Sequence, residues 1–242
     1  MIPKVIHYCW FGRSPKSKLI KKCIESWREK CPEYEIIEWN ENNFDINCNK
    51  YTRTAYENKK WAFLSDYVRL WVIYNYGGIY LDVDVELLKS LDDILKFDIF
   101  FATEEEQYIA TGLGFGANRK NSIVKSLMDD YNNEDYLSIN GEFDPIPCPI
   151  KNTKVFLQLF PNITSFKNDI ETENMRIYST EYFCPYDKYS HKLNLTENSY
   201  AIHWYNASWL NKKTKFKIGI KRFLKQLIGN QQYEIIKKMI IK

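Results

Sequence analysis

The six cysteines of this chain, Cys9, Cys23, Cys31, Cys48, Cys148 and Cys184, never fall into a Cys-x-x-Cys pair. That absence excludes zinc-ribbon ligand spacing and the dithiol motif of thioredoxin-like oxidoreductases, and it reads as free thiols kept reduced. No apolar run approaches the roughly twenty residues needed to cross a bilayer. Nothing at the amino terminus has the form of a secretory leader, because Ile2-Pro3-Lys4-Val5-Ile6 passes directly into a core-strand pattern. A triphosphate loop is missing too. Gly112-Leu113-Gly114-Phe115-Gly116-Ala117 lacks the correctly placed third glycine and the Lys-Ser/Thr ending, and it reads as a tight strand whose small residues let a ligand approach the backbone. The expectation from these absences is a protein of the cytoplasm, or one lying on the inner face of the plasma membrane.

What the chain has in excess is aromatic side chains, 16% of 242 residues. The length is enough to bury one substantial core. Aromatic excess suits such a core and equally suits stacking platforms for nucleobases or sugars. The net charge of +3 conceals an asymmetry: ten of the 34 Lys and Arg lie in residues 212–242 with one acid, Glu234, leaving 24 bases against 30 acids elsewhere. A basic tail on an acidic body points to an anionic surface partner.

Along the chain, Val5 to Phe11 reads as a buried strand closed by Gly12, Ser14 and Pro15. Ile20, Cys23, Ile24 and Trp27 recur at helical spacing, and Glu35 to Trp39 reads as a second strand, the opening of an α/β layer fold. Residues 60–76 form the clearest helix, with Trp61, Leu64, Val68, Trp71 and Val72 on one stripe and Gly77-Gly78 stopping it. Asp66 and Arg69 share a flank with Ala62 and Ile73. At that spacing they fit an exposed ion pair, or, with both sides of the helix covered, a ligand grip. Leu87 to Leu95 is expected as a short helix, Phe97 to Ala102 as a strand, Ile123 to Met128 as a helix, 132–152 as loop, Val155 to Phe160 as a short helix, and Met175 to Tyr178 and Tyr200 to His203 as late strands. Residues 212–242 read as a basic amphipathic helical pair that either caps the body or lies on a membrane surface.

The strand after Gly78 carries the chemistry. In Ile79-Tyr80-Leu81-Asp82-Val83-Asp84-Val85 the acids alternate with apolar residues, so an extended chain projects both carboxylates from one face. Two like charges so close need a cation or a proton between them, unless they end in water.

Four segments occur in order: Ile2 to Gly12, Ser65-Asp66 with Arg69, Gly77 to Asp84, and His203-Trp204-Tyr205-Asn206-Ala207-Ser208-Trp209. The set resembles glycosyltransferases that carry a sugar-binding region with an Asp-x-Asp motif. That family includes yeast-type initiating mannosyltransferases and bacterial capsule enzymes, and is more distantly similar to the glucosylating domains of large clostridial toxins. The resemblance covers about residues 1–211 and implies a catalytic body of that extent followed by the 212–242 tail. The implied fold is GT-A, a Rossmann-like α/β/α sandwich that binds a nucleotide-sugar across the carboxyl ends of its strands.

By that resemblance, Asp84 ligates a divalent metal directly, Asp82 contacts it through water or holds the ribose, and His203 is a second protein ligand. Trp10 lines the base pocket, Asp66 and Arg69 hold ribose and sugar hydroxyls, Ser208 and Trp209 close over the pyrophosphate, and Ser65 and Tyr80 make lesser contacts. Carboxylates suit Mg²⁺ or Mn²⁺, and one imidazole tilts the choice to Mn²⁺. The expected donor is a UDP-sugar ahead of GDP-mannose. The expected acceptor is a saccharide or polyprenyl-linked glycan in bacterial surface polysaccharide synthesis, with the anomeric configuration retained. Double displacement would need a carboxylate under the anomeric carbon, for which Glu104, Glu105 and Glu106 are the candidates, whereas a front-face route needs none.

Two rival classes carry less. A sugar-phosphate nucleotidylyltransferase would open with a glycine-rich basic loop, where only Gly12-Arg13 stands. A carbohydrate-binding protein has no need of Asp82, Asp84 and His203 together. Nucleic acid is disfavoured by the acidic body and by the continuous apolar face of the tail.

Overall fold

A computed structural model of the chain describes residues 1–132 and 145–206. Its elements run β1 (Val5–Cys9), α1 (Lys18–Lys30), β2 (Glu35–Trp39), α2 (Lys50–Glu57), α3 (Trp61–Tyr76), β3 (Gly78–Tyr80), β4 (Val85–Leu87), β5 (Ile99–Glu104), β6 (Tyr108–Ile109) and β7 (Phe115–Ala117). They continue with α4 (Ser122–Asp129), α5 (Cys148–Leu159), β8 (Ile170–Glu171), β9 (Met175–Tyr178), α6 (Thr180–Phe183) and β10 (Ala201–His203). Residues 1–205 form one compact unit. The tail expected over 212–242 lies outside the described residues.

The main sheet is ordered β2-β1-β3-β7-β5-β9-β8, with β6 appended to β5. β2, β1 and β3 are mutually parallel, β7 runs against β3 and β5, and β5 and β9 are parallel. Five strands therefore point their carboxyl ends to one edge. A separate antiparallel ribbon pairs β4 with β10, Val85 facing His203.

Alternation along the strands divides the core into two layers. Tyr80, Phe101 and Phe115 face α2–α5, while Ile79, Phe100 and Ala102 face α1, α6 and the β4–β10 ribbon. The α/β layering expected from the strand–helix–strand opening, and the sandwich that the resemblance implies, are therefore present. Helix α3 is buried nearly all round because it lies against the sheet and is flanked by α2 and α4. Gly77 ends it with φ +72, and Gly78 follows at φ +102, where an added Cβ would sit 2.7 Å from the Val5 carbonyl.

Two expectations fail for tertiary reasons. Leu87 to Leu95 is not a helix: Leu87 ends β4, paired with Ala201, and only Asp92–Ile94 makes a single 3₁₀ turn. Residues 148–152 are not loop but the first turns of α5, whose Pro149 occupies a first-turn position that lacks an amide partner anyway. Residues 133–144 of that expected loop lie outside the described residues.

His7, on β1, ties three elements together from a wholly buried position. Trp39 Nε1 donates to its Nδ1 at 3.0 Å, so the proton sits on Nε2, which donates to the Gly77 carbonyl at 2.9 Å. The neutral ring satisfies both partners and a protonated ring cannot, and burial holds its pKa down to about 4. Folding thus favours the neutral form, so this contribution is complete above about pH 6.5 and is lost as pH falls toward 4. The gap corresponds to about 3 kcal/mol. Urea unfolding at pH 7 and pH 4.5 is expected to show a larger loss of stability in the wild type than in His7→Phe. Equal losses would show that His7 does not set this slope.

Candidate active site

The carboxyl edge of the parallel strands gathers the chemistry. Trp10 follows β1, Leu81 to Asp84 follow β3, and Glu104 closes β5. Strand β7 enters from the same edge through Thr111 to Gly114.

The two acids do not share one strand face. β3 stops at Tyr80, and the chain turns at Val83-Asp84, with the Val85 amide donating back to the Asp82 carbonyl at 3.0 Å. The turn redirects the backbone into the β4–β10 ribbon, so the extended arrangement expected through Asp84 is corrected. Each carboxylate then meets a different partner.

Asp84 faces His203, with Oδ1 3.3 Å from Nε2. The Trp204 amide donates to the Asp84 carbonyl at 3.0 Å, and α1 braces the ribbon from behind: Trp27 Nε1 donates to the Val85 carbonyl (2.7 Å) and Ser26 Oγ accepts from Leu87 N (2.9 Å). Outside, Glu86 accepts from Trp204 Nε1 and pairs with Lys22. Burial opposes a charge on His203, but Asp84, aided by Asp82 and Glu104, outweighs it and raises the imidazole pKa. The His203 Nδ1 is buried without a hydrogen-bond partner.

Asp82 belongs to a second group with Ser65, Asp66, Arg69 and Tyr80. Arg69 reaches Asp66 Oδ1 through Nη1 (3.1 Å) and Asp82 Oδ1 through Nη2 (3.0 Å). Nη2 also donates to Ser65 Oγ at 3.0 Å, Tyr80 OH donates to Asp82 Oδ1 at 3.2 Å, and the guanidinium lies over the Tyr80 ring. Asp66 and Arg69 are only 7% and 5% exposed, so they are a buried pair and not the exposed one that bare helical spacing allowed. Burial pushes the Asp66 carboxyl up to about 7, with Asp82 adding to the shift and Arg69 opposing it. One guanidinium thus faces two carboxyl groups, and burial holds that of Asp66 toward protonation.

Behind this group stand residues that sequence reasoning missed. Arg69 Nη1 approaches Cys148 Sγ at 3.6 Å, Thr111 Oγ1 lies 3.3 Å from that sulfur, and Asn152 Nδ2 donates to Thr111 Oγ1 and to Cys148. Cys148 and Asn152 sit on the turns of α5 that prolines disguised as loop. Burial lifts the Cys148 thiol to about 12, so it packs and does not react. All six cysteines are free.

The glycines before β7 make room for protein, not for ligand. A Cβ on Gly112 would lie 2.1 Å from Asp82 Oδ2, and one on Gly114 would lie 2.8 Å from the Phe183 ring. Trp10 is partly exposed, its indole N–H donating to the Ser14 carbonyl and Lys16 lying 5.3 Å over its ring. Glu104 and Glu105 are both clamped by Lys188 at 2.6 Å. Ser208 and Trp209 lie outside the described residues.

Among the described residues no group of three or more His, Cys, Asp or Glu is placed to hold a metal ion. The Asp84–His203 pair nevertheless fits two positions of a cation's shell. Its 3.3 Å separation is near the ~3.0 Å edge of an octahedron with bonds of about 2.1 Å, and Mg²⁺-type sites draw their remaining ligands from water and substrate phosphate.

Gly112→Ala is expected to destabilise the fold by about 1–3 kcal/mol through overpacking, and to cost much less in an Asp82→Ala background, measured by urea unfolding of the four-member cycle. Equal costs in both backgrounds would show that Asp82 is not what Gly112 accommodates.

Residues 17–101 match the family described as glycosyltransferase sugar-binding region containing DXD motif. The chain is 32% identical over 103 residues to inositol phosphoceramide mannosyltransferase 3 of Schizosaccharomyces pombe, covering 40% of this chain and 28% of that protein. It is 26% identical over 159 residues to mannosyl phosphorylinositol ceramide synthase SUR1 of Saccharomyces cerevisiae, covering 60% of this chain and 40% of that one. The match thus spans well under half the length of these curated relatives. Among solved structures, PaToxG glycosyltransferase superposes with a TM-score of 0.51 at 19% identity, over 66% of this chain and 71% of that one, a likeness of fold. The mixed sheet with its site on the carboxyl edge is the GT-A architecture. Asp82-Val83-Asp84 lies inside the matched region, so residues 17–101 of this chain are similar to the DXD sugar-binding region of glycosyltransferases.

Proposed function

We propose that this chain is a metal-dependent transferase that moves a hexose from a nucleoside diphosphate sugar to a saccharide or lipid-linked glycan. The observation that carries the proposal is the meeting of Asp84 and His203 at 3.3 Å beside the buried Arg69–Asp66 pair and the half-buried Asp82. A divalent cation on Asp84 and His203 would offset the negative charge that develops on a departing diphosphate. The chain's own residues supply the rest. Arg69 orients Asp82 for a ribose or water contact, Asp66 presents a carboxyl that burial holds toward protonation, and Trp10 offers a flat surface at the end of β1. Mn²⁺ remains the preferred ion, on the one imidazole in the pair.

The curated relatives are named for mannose transfer to inositol phosphoceramide, so a mannosyl donor is tested beside the UDP-sugars first expected, and a lipid-linked acceptor is favoured. Bacterial surface polysaccharide synthesis and retention of configuration belong to the same proposal on the strength of the resemblance, and a cytoplasmic or peripheral location on that of the free cysteines and the basic tail.

Thermal-shift screening of UDP- and GDP-sugars with and without Mn²⁺ tests it. A nucleotide at a hundred times its Kd should stabilise the protein by about 2.7 kcal/mol, only with metal present. Asp84→Asn should abolish that shift and lower turnover on the order of a thousandfold while the fold is retained. No response to any nucleotide would overturn the proposal. Peripheral attachment is expected to depend on residues 212–242, so their deletion should end flotation with vesicles containing anionic lipid. Undiminished flotation would assign the contact to the body.

A further inference from the structure

A histidine that serves as a ligand ordinarily donates its second ring N–H to a carboxylate or carbonyl, which fixes the ring plane. His7 shows the usual economy, with both nitrogens bonded. His203 does not, since its Nδ1 is buried and unpartnered. With Nε2 on Asp84 and no bond at Nδ1, something other than a second hydrogen bond must fix the ring plane.

The Tyr205 ring lies against the imidazole, with centroids 4.1 Å apart. Tyr205 holds a backbone φ of +48, a conformation that strains a bulky residue and persists only where its surroundings enforce it. They do so at the hydroxyl, which meets Cys184 Sγ at 2.9 Å and the Glu104 carboxylate. Tyr205 O–H donating to Glu104 and Cys184 S–H donating to the tyrosine oxygen satisfies all three groups. Lys188 completes the clamp, with Nζ on Glu104 and Glu105 and 4.9 Å above the Tyr205 ring. Glu105 is itself held at φ +55.

We infer that Tyr205 is a positioning residue for His203: its anchored ring replaces the missing Nδ1 hydrogen bond and aims Nε2 at Asp84. The inference rests on the proposed metal site for its consequence, but its geometry can be read without metal. The chain has three histidines, His7, His191 and His203, so the imidazole C–H signals are few and His203→Gln assigns the one of interest. In the wild type this signal is expected upfield, shifted by the Tyr205 ring. Tyr205→Leu should abolish the displacement and weaken binding of Mn²⁺ alone by 10–100-fold, followed by Mn²⁺ electron paramagnetic resonance. Tyr205→Phe, which keeps the ring, should retain most of both.

Should Tyr205→Leu not fold, Cys184→Ala removes one anchor of the hydroxyl and should reduce the displacement and the affinity together. Wild-type Mn²⁺ affinity in Tyr205→Leu, or a wild-type signal with no upfield displacement, would overturn the inference. If the wild type binds no Mn²⁺, the metal reading of the site falls while the ring-current comparison still decides the role of Tyr205.

Discussion

A guanidinium buried to 5% exposure is costly unless its charge is answered, and for Arg69 that answer, made through Nη1 and Nη2 while Nε stays without a partner, shapes this molecule. Its partners come from separate stretches of chain: Ser65 and Asp66 from the same helix, Tyr80 and Asp82 from the end of the next strand, Cys148 from α5. Satisfying one cation therefore docks α3, the sheet and α5 at the carboxyl edge. Gly112 is part of that solution, because Asp82 can reach Arg69 only where the facing turn before β7 has no side chain.

The same constraint divides the two carboxylates. Asp82 is held inward by Arg69 and Tyr80, and Asp84, carried around a tight turn, is delivered to the β4–β10 ribbon and His203. Separating them relieves the repulsion that a shared strand face would impose. It also leaves Asp84 as the acid that faces an imidazole, with α1 bracing the ribbon from behind through Trp27 and Ser26.

Much of the frame was legible in the chain because its signals are local. The apolar run of β1, the 3.6-residue period of α1 and the glycine pair that ends α3 each follow from neighbours a few residues apart. Leu87 to Leu95 misled because its leucines mimic a helical stripe, while Leu87 is claimed by Ala201 more than a hundred residues later. Cys148 and Asn152 were hidden because Pro147 and Pro149 signal loop equally well when they open a helix.

Sequence alone determined which residue types meet at the site: the Asp-x-Asp pair after two glycines, Asp66 and Arg69 on one helix, and a late histidine. Tertiary structure decided how they are used. Burial on all sides turned an Asp–Arg spacing that fits a surface ion pair into an internal clamp, and the turn at Val83-Asp84 sent two adjacent acids to different partners. Tyr205, unremarked as the residue two after His203, became its neighbour through ring contact and a distant anchor on Glu104 and Lys188. Those outcomes depend on which distant groups share a desolvated space, a quantity that local periodicity does not encode.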